Sequence, residues 1–185
     1  MRRGYKAWCE RYAADTRSVL GLPSTSPLGG LELAKHLGIR VWTPEDVPGL
    51  TQTTRDVLLR NDGTPSCWSA VTLVVGEKTL VILNSSHSLA RQASDLMHEL
   101  AHRILNHEPE EMSISSEGLM LLKAYDKAQE EEADWLSGVL LLPRDALVHV
   151  RRKGMPDEEV IATYGVSKRM YTYRVSMTGV NRQFG

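Results

Sequence analysis

An apolar stripe between residues 89 and 105 is the feature that most constrains how this chain folds. Its members recur at steps of three and four residues, the spacing of one face of an α-helix. They are Leu89, Ala93, Leu96, Met97, Leu100, Ala101, Ile104 and Leu105. The polar side chains that fall off the stripe are Arg91, Asp95, His98, Glu99 and His102. The stripe predicts an amphipathic helix that buries one face in the core, with Ser86 or Ser88 as its cap.

Two segments before this helix predict a β-hairpin. Residues 68–75 and 79–83 are dense in β-branched and apolar side chains, and a short connection containing Gly76 joins them. Residues 39–42 predict another strand, which Pro44 closes. Together these segments predict a short, largely antiparallel sheet packed against the helix.

The rest of the chain is predicted to be mostly helical, which gives an α+β fold. Helices are predicted over 6–20, 31–37, about 125–141, 144–153, 157–164 and 168–177. Loops are predicted at 21–30 and at 108–117, where the apolar periodicity is lost. We expect one domain over residues 1–185, with an N-terminal helix and loop (about 1–30), a core (31–143) and a helical tail (144–185).

The charge balance gives no reason to expect a nucleic acid or a membrane as partner. Lys and Arg number 22, against 23 Asp and Glu. The longest apolar stretch, 139–142, is far too short to span a bilayer, and no apolar run of signal-peptide length follows the N-terminus. Cys9 and Cys67 stand in unrelated contexts and give weak support for a disulfide. We therefore expect a cytoplasmic protein, and the sequence leaves its oligomeric state open.

The polar face of the central helix carries an H-E-x-x-H motif. His98 and His102 are four residues apart, so one lies a turn above the other, and two imidazoles so placed can hold one zinc ion. Glu99 points about 100° away around the helix and could reach a water on the metal without ligating the metal. This pattern predicts a zinc-dependent hydrolase with Glu99 as general base. The alternative is a pair of surface histidines on a solvated helix face.

A catalytic zinc ion needs a third protein ligand, and the densest acidic cluster lies downstream at residues 130–134. Glu130 and Asp134 would share one face of a helix. Glu130 could reach the metal while Asp134 accepts the free N–H of a ligating histidine, which fixes the tautomer of that ligand. The run of three glutamates leaves the third ligand open among Glu130, Glu131 and Glu132, and a charged solvent face remains the alternative for any single acid.

Two stretches of the chain resemble the ImmA/IrrE family of metallopeptidases. The first comprises residues 81–86, Arg91 and 98–107. The second is 130–134, which runs into the Leu-Leu-Leu-Pro sequence of 140–143. Similarity to the family extends from about residue 31 to residue 180.

This resemblance implies a zincin-like fold and one zinc ion per chain, with Glu99 as the catalytic base. The implied zinc ligands are His98, His102 and Glu130, since only Glu130 has Ala133 and Asp134 at the family's spacing. Leu136 and Ser137 depart from the family pattern, which usually has an aromatic and a small residue there. Leu136 would still fill a core position, so the departure concerns packing more than catalysis.

The resemblance also implies a substrate class, because members of the family cleave helix-turn-helix transcriptional repressors. Many members carry their own repressor-like DNA-binding domain, but residues 1–37 are too short for one, so we expect a separate protein substrate. Zincins bind extended peptides by strand addition at a sheet edge, and residues 68–75 are the predicted edge. The alternative is a zinc-binding regulatory module without turnover that binds DNA or a partner protein through its C-terminal helices.

The tail has the outline of a helix-turn-helix over residues 157–177. Lys168, Arg169 and Arg174, with the basic run at 151–153, could contact phosphates. Ile161 stands where that motif usually needs a small residue for close helix packing. We therefore expect the tail to dock protein or to complete the fold.

Other histidines and tyrosines are weaker candidates for the site. We expect surface or capping roles for His36, His87, His107 and His149. His149, Tyr171 and Tyr173 are open alternatives for the group that stabilises the oxyanion formed during hydrolysis.

Overall fold

The structure is a computed structural model, and it describes residues 3–184 except 61, 64–65, 67, 108–111, 115–119 and 123–125. For 112–114 and 120–122 it describes the backbone only. The helices are α1 (Tyr5–Val19), α2 (Gly30–His36), α3 (Gln52–Leu58), α4 (Leu89–Ile104), α5 (Lys127–Leu141), α6 (Arg144–Arg152), α7 (Asp157–Tyr164) and α8 (Lys168–Thr178). The strands are β1 (Arg40–Trp42), β2 (Ala70–Val75), β3 (Lys78–Leu83), β4 (Met112–Ile114) and β5 (Met120–Leu122), and short 3-10 helices cover Pro44–Asp46 and Val180–Gln183.

The predicted hairpin forms the larger part of a three-stranded sheet with the order β1-β3-β2. β2 pairs antiparallel with β3, with Thr72 opposite Val81, and Gly76 supplies the positive φ of 59° in the connection. β1 lies on the other side of β3 and pairs parallel with it. The α+β prediction is confirmed, and within this sheet β2 is an edge strand, as expected for residues 68–75.

Three local predictions need correction. The stretch 108–117 was predicted to be a loop, but it contains β4, which pairs antiparallel with β5. Helix α3 was not predicted because none of its residues is buried, so it carries no apolar periodicity. The helix expected from about Tyr125 begins at Lys127, after Asp126 accepts hydrogen bonds from the backbone N–H groups of residues 128 and 129. Tyr125 itself lies outside the described residues, as does Cys67.

Helix α4 is amphipathic as predicted and packs against α5 and the sheet. Its buried members are Leu96, Met97, Leu100 and Ala101. The stripe does not extend to the first turn, because Leu89 is 82% exposed. Ser88 is the N-cap residue, but its side chain makes no capping hydrogen bond. On α5, Leu136 is fully buried, so this departure from the family pattern fills the core as expected.

The C-terminal helices are tied into the core by a buried arginine. Arg174 of α8 is fully buried; it donates to Glu10 Oε1 of α1 at 2.7 Å and to the Leu142 carbonyl at 2.9 Å. Gly138 of α5 makes room for it, since a Cβ there would lie 3.3 Å from Arg174 Cδ. Arg174 was a possible phosphate contact in the alternative in which the tail binds DNA, and its burial removes it from that alternative.

The other basic residues of the tail differ in their surroundings. Arg151 donates to Asp157 and to the Tyr171 hydroxyl, whereas Lys168 and Arg169 are exposed. Within the described part of the chain, no helix has the length and apolar character needed to cross a membrane.

Candidate metal centre

The two histidines of the motif lie on the face of α4 that meets α5. His98 Nε2 and His102 Nε2 are 3.0 Å apart, and each is 3.1 Å from an oxygen of Glu130. The three side chains are about one-fifth to one-quarter exposed, so solvent reaches them from one side. Among the described residues this is a group of ligand atoms that could hold a metal ion.

The spacing of these atoms fits zinc. Tetrahedral bonds of about 2.0–2.2 Å set neighbouring ligand atoms about 3.3–3.6 Å apart. The observed separations of 3.0–3.1 Å are shorter by only a few tenths of an ångström, which side-chain rotation can supply. Two imidazoles and one carboxylate are also the donor set of a catalytic zinc site, which leaves a fourth position for water or substrate.

Helix α5 brings Glu130 to the histidines. Asp126 caps the helix, so Glu130 lies in its first turn and Asp134 lies one turn later on the same face. Glu131 is exposed, and Glu132 turns towards His107 instead. Of the three glutamates left open by the sequence, the structure thus places Glu130 with His98 and His102.

Asp134 lies behind His98, on the side away from Glu130. Its Oδ1 atom is 3.0 Å from His98 Nδ1, while His98 Nε2 faces Glu130. Burial alone would lower the pKa of His98, but the hydrogen bond and the charge of Asp134 outweigh it and raise that pKa. The same hydrogen bond lowers the pKa of Asp134. A carboxylate in this position fixes which ring nitrogen carries the hydrogen and so leaves Nε2 available for a metal.

Glu99 lies between α4 and the edge strand. Its Oε2 atom accepts a hydrogen bond from the Thr72 hydroxyl of β2. Burial raises the pKa of Glu99, and the hydrogen bond from Thr72 opposes that rise. A buried carboxylate whose pKa is raised is a better proton acceptor than an exposed one.

His107 and His87 were predicted to be surface or capping residues, but both side chains are more than nine-tenths buried. His107 Nδ1 lies 3.0 Å from His102 Nδ1, and His87 Nδ1 lies 3.3 Å from Asp95 Oδ2. Burial, with the charges of His98 and His107, lowers the pKa of His102 to about 4. His36 is exposed and His149 half-buried, in keeping with the prediction.

The two candidate tyrosines differ in availability. The Tyr171 hydroxyl donates to Asp157 at 2.6 Å and accepts from Arg151, and burial raises its pKa to about 12, so this group is engaged elsewhere. Tyr173 is 42% exposed, and its pKa is raised by burial and by the negative charge of nearby Asp134. Of the two, Tyr173 is the more exposed side chain.

An α+β fold that presents an H-E-x-x-H helix to a glutamate on the next long helix defines a metallopeptidase-like domain. A sequence model of one such family, the IrrE N-terminal-like domain, matches residues 48–176. The chain therefore belongs to this family, which confirms the resemblance found in the sequence. Comparison with curated proteins and with solved structures finds no match.

Proposed function

We propose that this chain is a zinc-dependent endopeptidase that cleaves a protein, and that its substrate is a helix-turn-helix transcriptional repressor. The observation that carries the catalytic part is the convergence of His98, His102 and Glu130 beside a partly buried Glu99 that is not part of the ligand set. A structural zinc site is held by four protein ligands, so three ligands alone do not make one. Three ligands with an adjacent base suit hydrolysis.

Each residue has a distinct role in this proposal. His98, His102 and Glu130 would hold the zinc ion, which would supply Lewis acidity to a water molecule and to the scissile carbonyl. Glu99 accepts the proton of the attacking water and passes it to the leaving amine. Thr72 holds one oxygen of Glu99, and Asp134 holds the ring of His98.

The edge strand supports a protein as substrate. Among the described residues β2 is an edge strand of its sheet, and Thr72 on this strand contacts the proposed base. An extended peptide that adds to this edge by backbone hydrogen bonds would run past Glu99. Specificity for a repressor rests on the family resemblance alone.

The alternative of a regulatory module that binds DNA loses support from two contacts. Arg174 is buried against Glu10, and Arg151 is held by Asp157 and Tyr171. Lys168 and Arg169 remain exposed on α8, which leaves a small basic surface for either a protein or a nucleic acid.

The test combines metal content with cleavage. We expect the purified chain to hold about one zinc ion and to cut a repressor encoded beside it into discrete fragments. Glu99→Gln should keep the zinc and abolish the fragments, because it removes the base and no ligand. Glu131→Gln, an exposed acid next to the ligand, is the matched control and should cleave as the wild type does.

Two outcomes would contradict the proposal. Cleavage that persists undiminished in Glu99→Gln would remove Glu99 from the mechanism. A wild-type chain without zinc, at metal concentrations that load other zinc peptidases, would remove the metal site itself. The regulatory module would be favoured instead if the chain cleaves nothing but retards DNA in a gel. Changing Lys168 and Arg169 to Glu should then abolish that retardation.

A further inference from the structure

The C-terminus of α4 ends in a turn that brings a third histidine back onto the helix. Leu105 is the C-cap, and Asn106 adopts the left-handed conformation with φ of 52°. The His107 N–H donates to the His102 carbonyl at 3.0 Å, and the Asn106 N–H donates to the Arg103 carbonyl at 3.2 Å. These two bonds make a Schellman motif, in which the residue after the left-handed position packs on the third residue from the helix end. Here those two residues are His107 and His102.

The usual apolar contact of that motif is replaced by a hydrogen bond between imidazoles. His107 Nδ1 is 3.0 Å from His102 Nδ1, and the His107 side chain is only 8% exposed. On its far side, His107 Nε2 is 3.8 Å from Glu132 Oε2. The Tyr5 hydroxyl donates to the Glu132 carbonyl at 2.6 Å, so α1 braces this same turn of α5.

The two imidazoles can share only one hydrogen between their Nδ1 atoms. His102 Nε2 faces His98 and Glu130, so a cation bound there leaves the hydrogen of His102 on Nδ1. His107 Nδ1 must then be the acceptor, and its own hydrogen is on Nε2, which faces Glu132. This arrangement gives the Nδ1–Nδ1 hydrogen bond one donor and one acceptor, and it directs the Nε2 hydrogen of His107 towards Glu132.

We propose that His107, supported by Glu132, is a positioning residue that holds His102 in the tautomer and orientation needed for its Nε2 to bind a cation. This inference rests on the proposed metal site but not on peptidase activity. It gives His102 the kind of support that Asp134 gives His98. Helix α5 supplies an acid to each support. Asp134 contacts His98, and Glu132, two residues earlier, faces His107.

The test measures metal affinity in three variants. In His107→Leu the hydrogen-bond acceptor is lost, and we expect zinc affinity in a competition titration to fall about 10–100-fold. In His107→Asn the amide oxygen takes the place of Nδ1, because both atoms are bonded to Cγ. It can therefore accept the same hydrogen bond from His102. The affinity of that variant should stay close to the wild-type value. His36→Leu, at an exposed histidine on α2, is the matched control and should change nothing.

A second measurement separates positioning from a general loss of structure. With Co²⁺ in place of zinc, the visible absorption bands report ligand geometry directly. We expect these bands to shift in His107→Leu and to be retained in His107→Asn. If His107→Leu fails to fold, the pair Asn106→Gly and Asn106→Val replaces it, because glycine keeps the left-handed turn and valine strains it. Zinc affinity should then fall in the valine variant only.

The outcomes are distinguishable from those of the proposed function. A wild-type chain that binds no zinc would overturn the metal site, and the role of His107 with it. A wild-type chain that binds zinc, with a folded His107→Leu that binds it equally well, would overturn the role of His107 alone. Equal losses in His107→Leu and His107→Asn would show that the hydrogen bond is not what matters, which also overturns the inference. Weakened binding in the leucine variant supports the inference even if no substrate is cleaved.

Discussion

The ion pair between the fully buried Arg174 and the partly exposed Glu10 allows a quantitative prediction about how the tail is held. Arg174 is fully buried, and besides Glu10 and the Leu142 carbonyl it lies over the Trp135 ring at 5.6 Å. Glu10 accepts a second hydrogen bond, from the Arg144 N–H at the start of α6. Glu10→Ala would therefore leave a buried guanidinium without its carboxylate and a helix N-terminus without its acceptor.

The expected cost is large because the guanidinium that loses its partner is fully buried in the native fold. Breaking a buried ion pair by removing one partner costs about 3–5 kcal/mol. A domain of this kind has a total free energy of unfolding of about 5–15 kcal/mol, so Glu10→Ala should remove a large fraction of it. Arg174→Met removes the charge itself and keeps an apolar stem, so we expect a smaller loss from it. The double variant should lose less than the sum of the two single losses.

Urea unfolding followed by circular dichroism is the assay. With a denaturant slope of about 1–3 kcal/mol per molar urea, the midpoint of Glu10→Ala should fall by more than about 1 M. Asp15→Ala, an exposed acid on the same helix, is the matched control and should leave the midpoint unchanged. A loss in Glu10→Ala below about 1 kcal/mol, the upper range for exposed ion pairs, would refute the argument. It would mean that Arg174 finds water or another partner when Glu10 is absent.

Two further predictions concern the acids of α5 and the buried thiol. Glu130→Ala should abolish stoichiometric zinc binding, and Asp134→Ala should lower zinc affinity about 10–100-fold in a competition titration. Glu131→Ala should leave that affinity unchanged. A loss of affinity in Glu131→Ala instead would show that the assigned ligand is wrong. Cys9 is fully buried, and burial raises its pKa to about 11, so at pH 8 almost none of it is the reactive thiolate. An alkylating reagent at pH 8 should therefore leave Cys9 unmodified until the chain is unfolded, and peptide mapping that finds Cys9 labelled in the native chain would contradict its burial.

The parts of the fold that could be predicted are those in which apolar side chains mark burial. The β2–β3 hairpin and the α4 helix have such patterns, and both form. Helix α3 buries none of its residues, and β4 and β5 are three residues each, too short for a pattern to emerge. Leu89 shows the opposite error. It continues the apolar stripe in the sequence and was predicted to be buried, but its side chain is exposed.

The burial of Arg174 and of the His107 side chain was not predicted, and the two cases have a common physical origin. Both side chains are polar and buried, and a polar side chain is buried when its partners satisfy it. The partner of Arg174 is Glu10, 164 residues away in the chain, so no local pattern announces the pair. His107 carried a weak local signal, since an asparagine just after a helix favours the left-handed turn that directs the next residue back onto the helix. That signal becomes informative only once the exact end of α4 is known.

The acidic run at the start of α5 explains why the third ligand could be narrowed but not fixed from the sequence. Successive residues of a helix point about 100° apart, so adjacent glutamates cannot face the same partner. Glu130 meets the Nε2 atoms of both motif histidines, Glu131 is exposed, and Glu132 faces His107. The three are equivalent in residue type, and only the resemblance to the family favours Glu130. In the structure the register is set by the position of Asp126 as the cap and by the burial of Ala133 in the core. In the proposed centre, one short run of acids would supply the carboxylate ligand and a supporting acid for each histidine, which would make α5 as important to the centre as the helix that bears the motif.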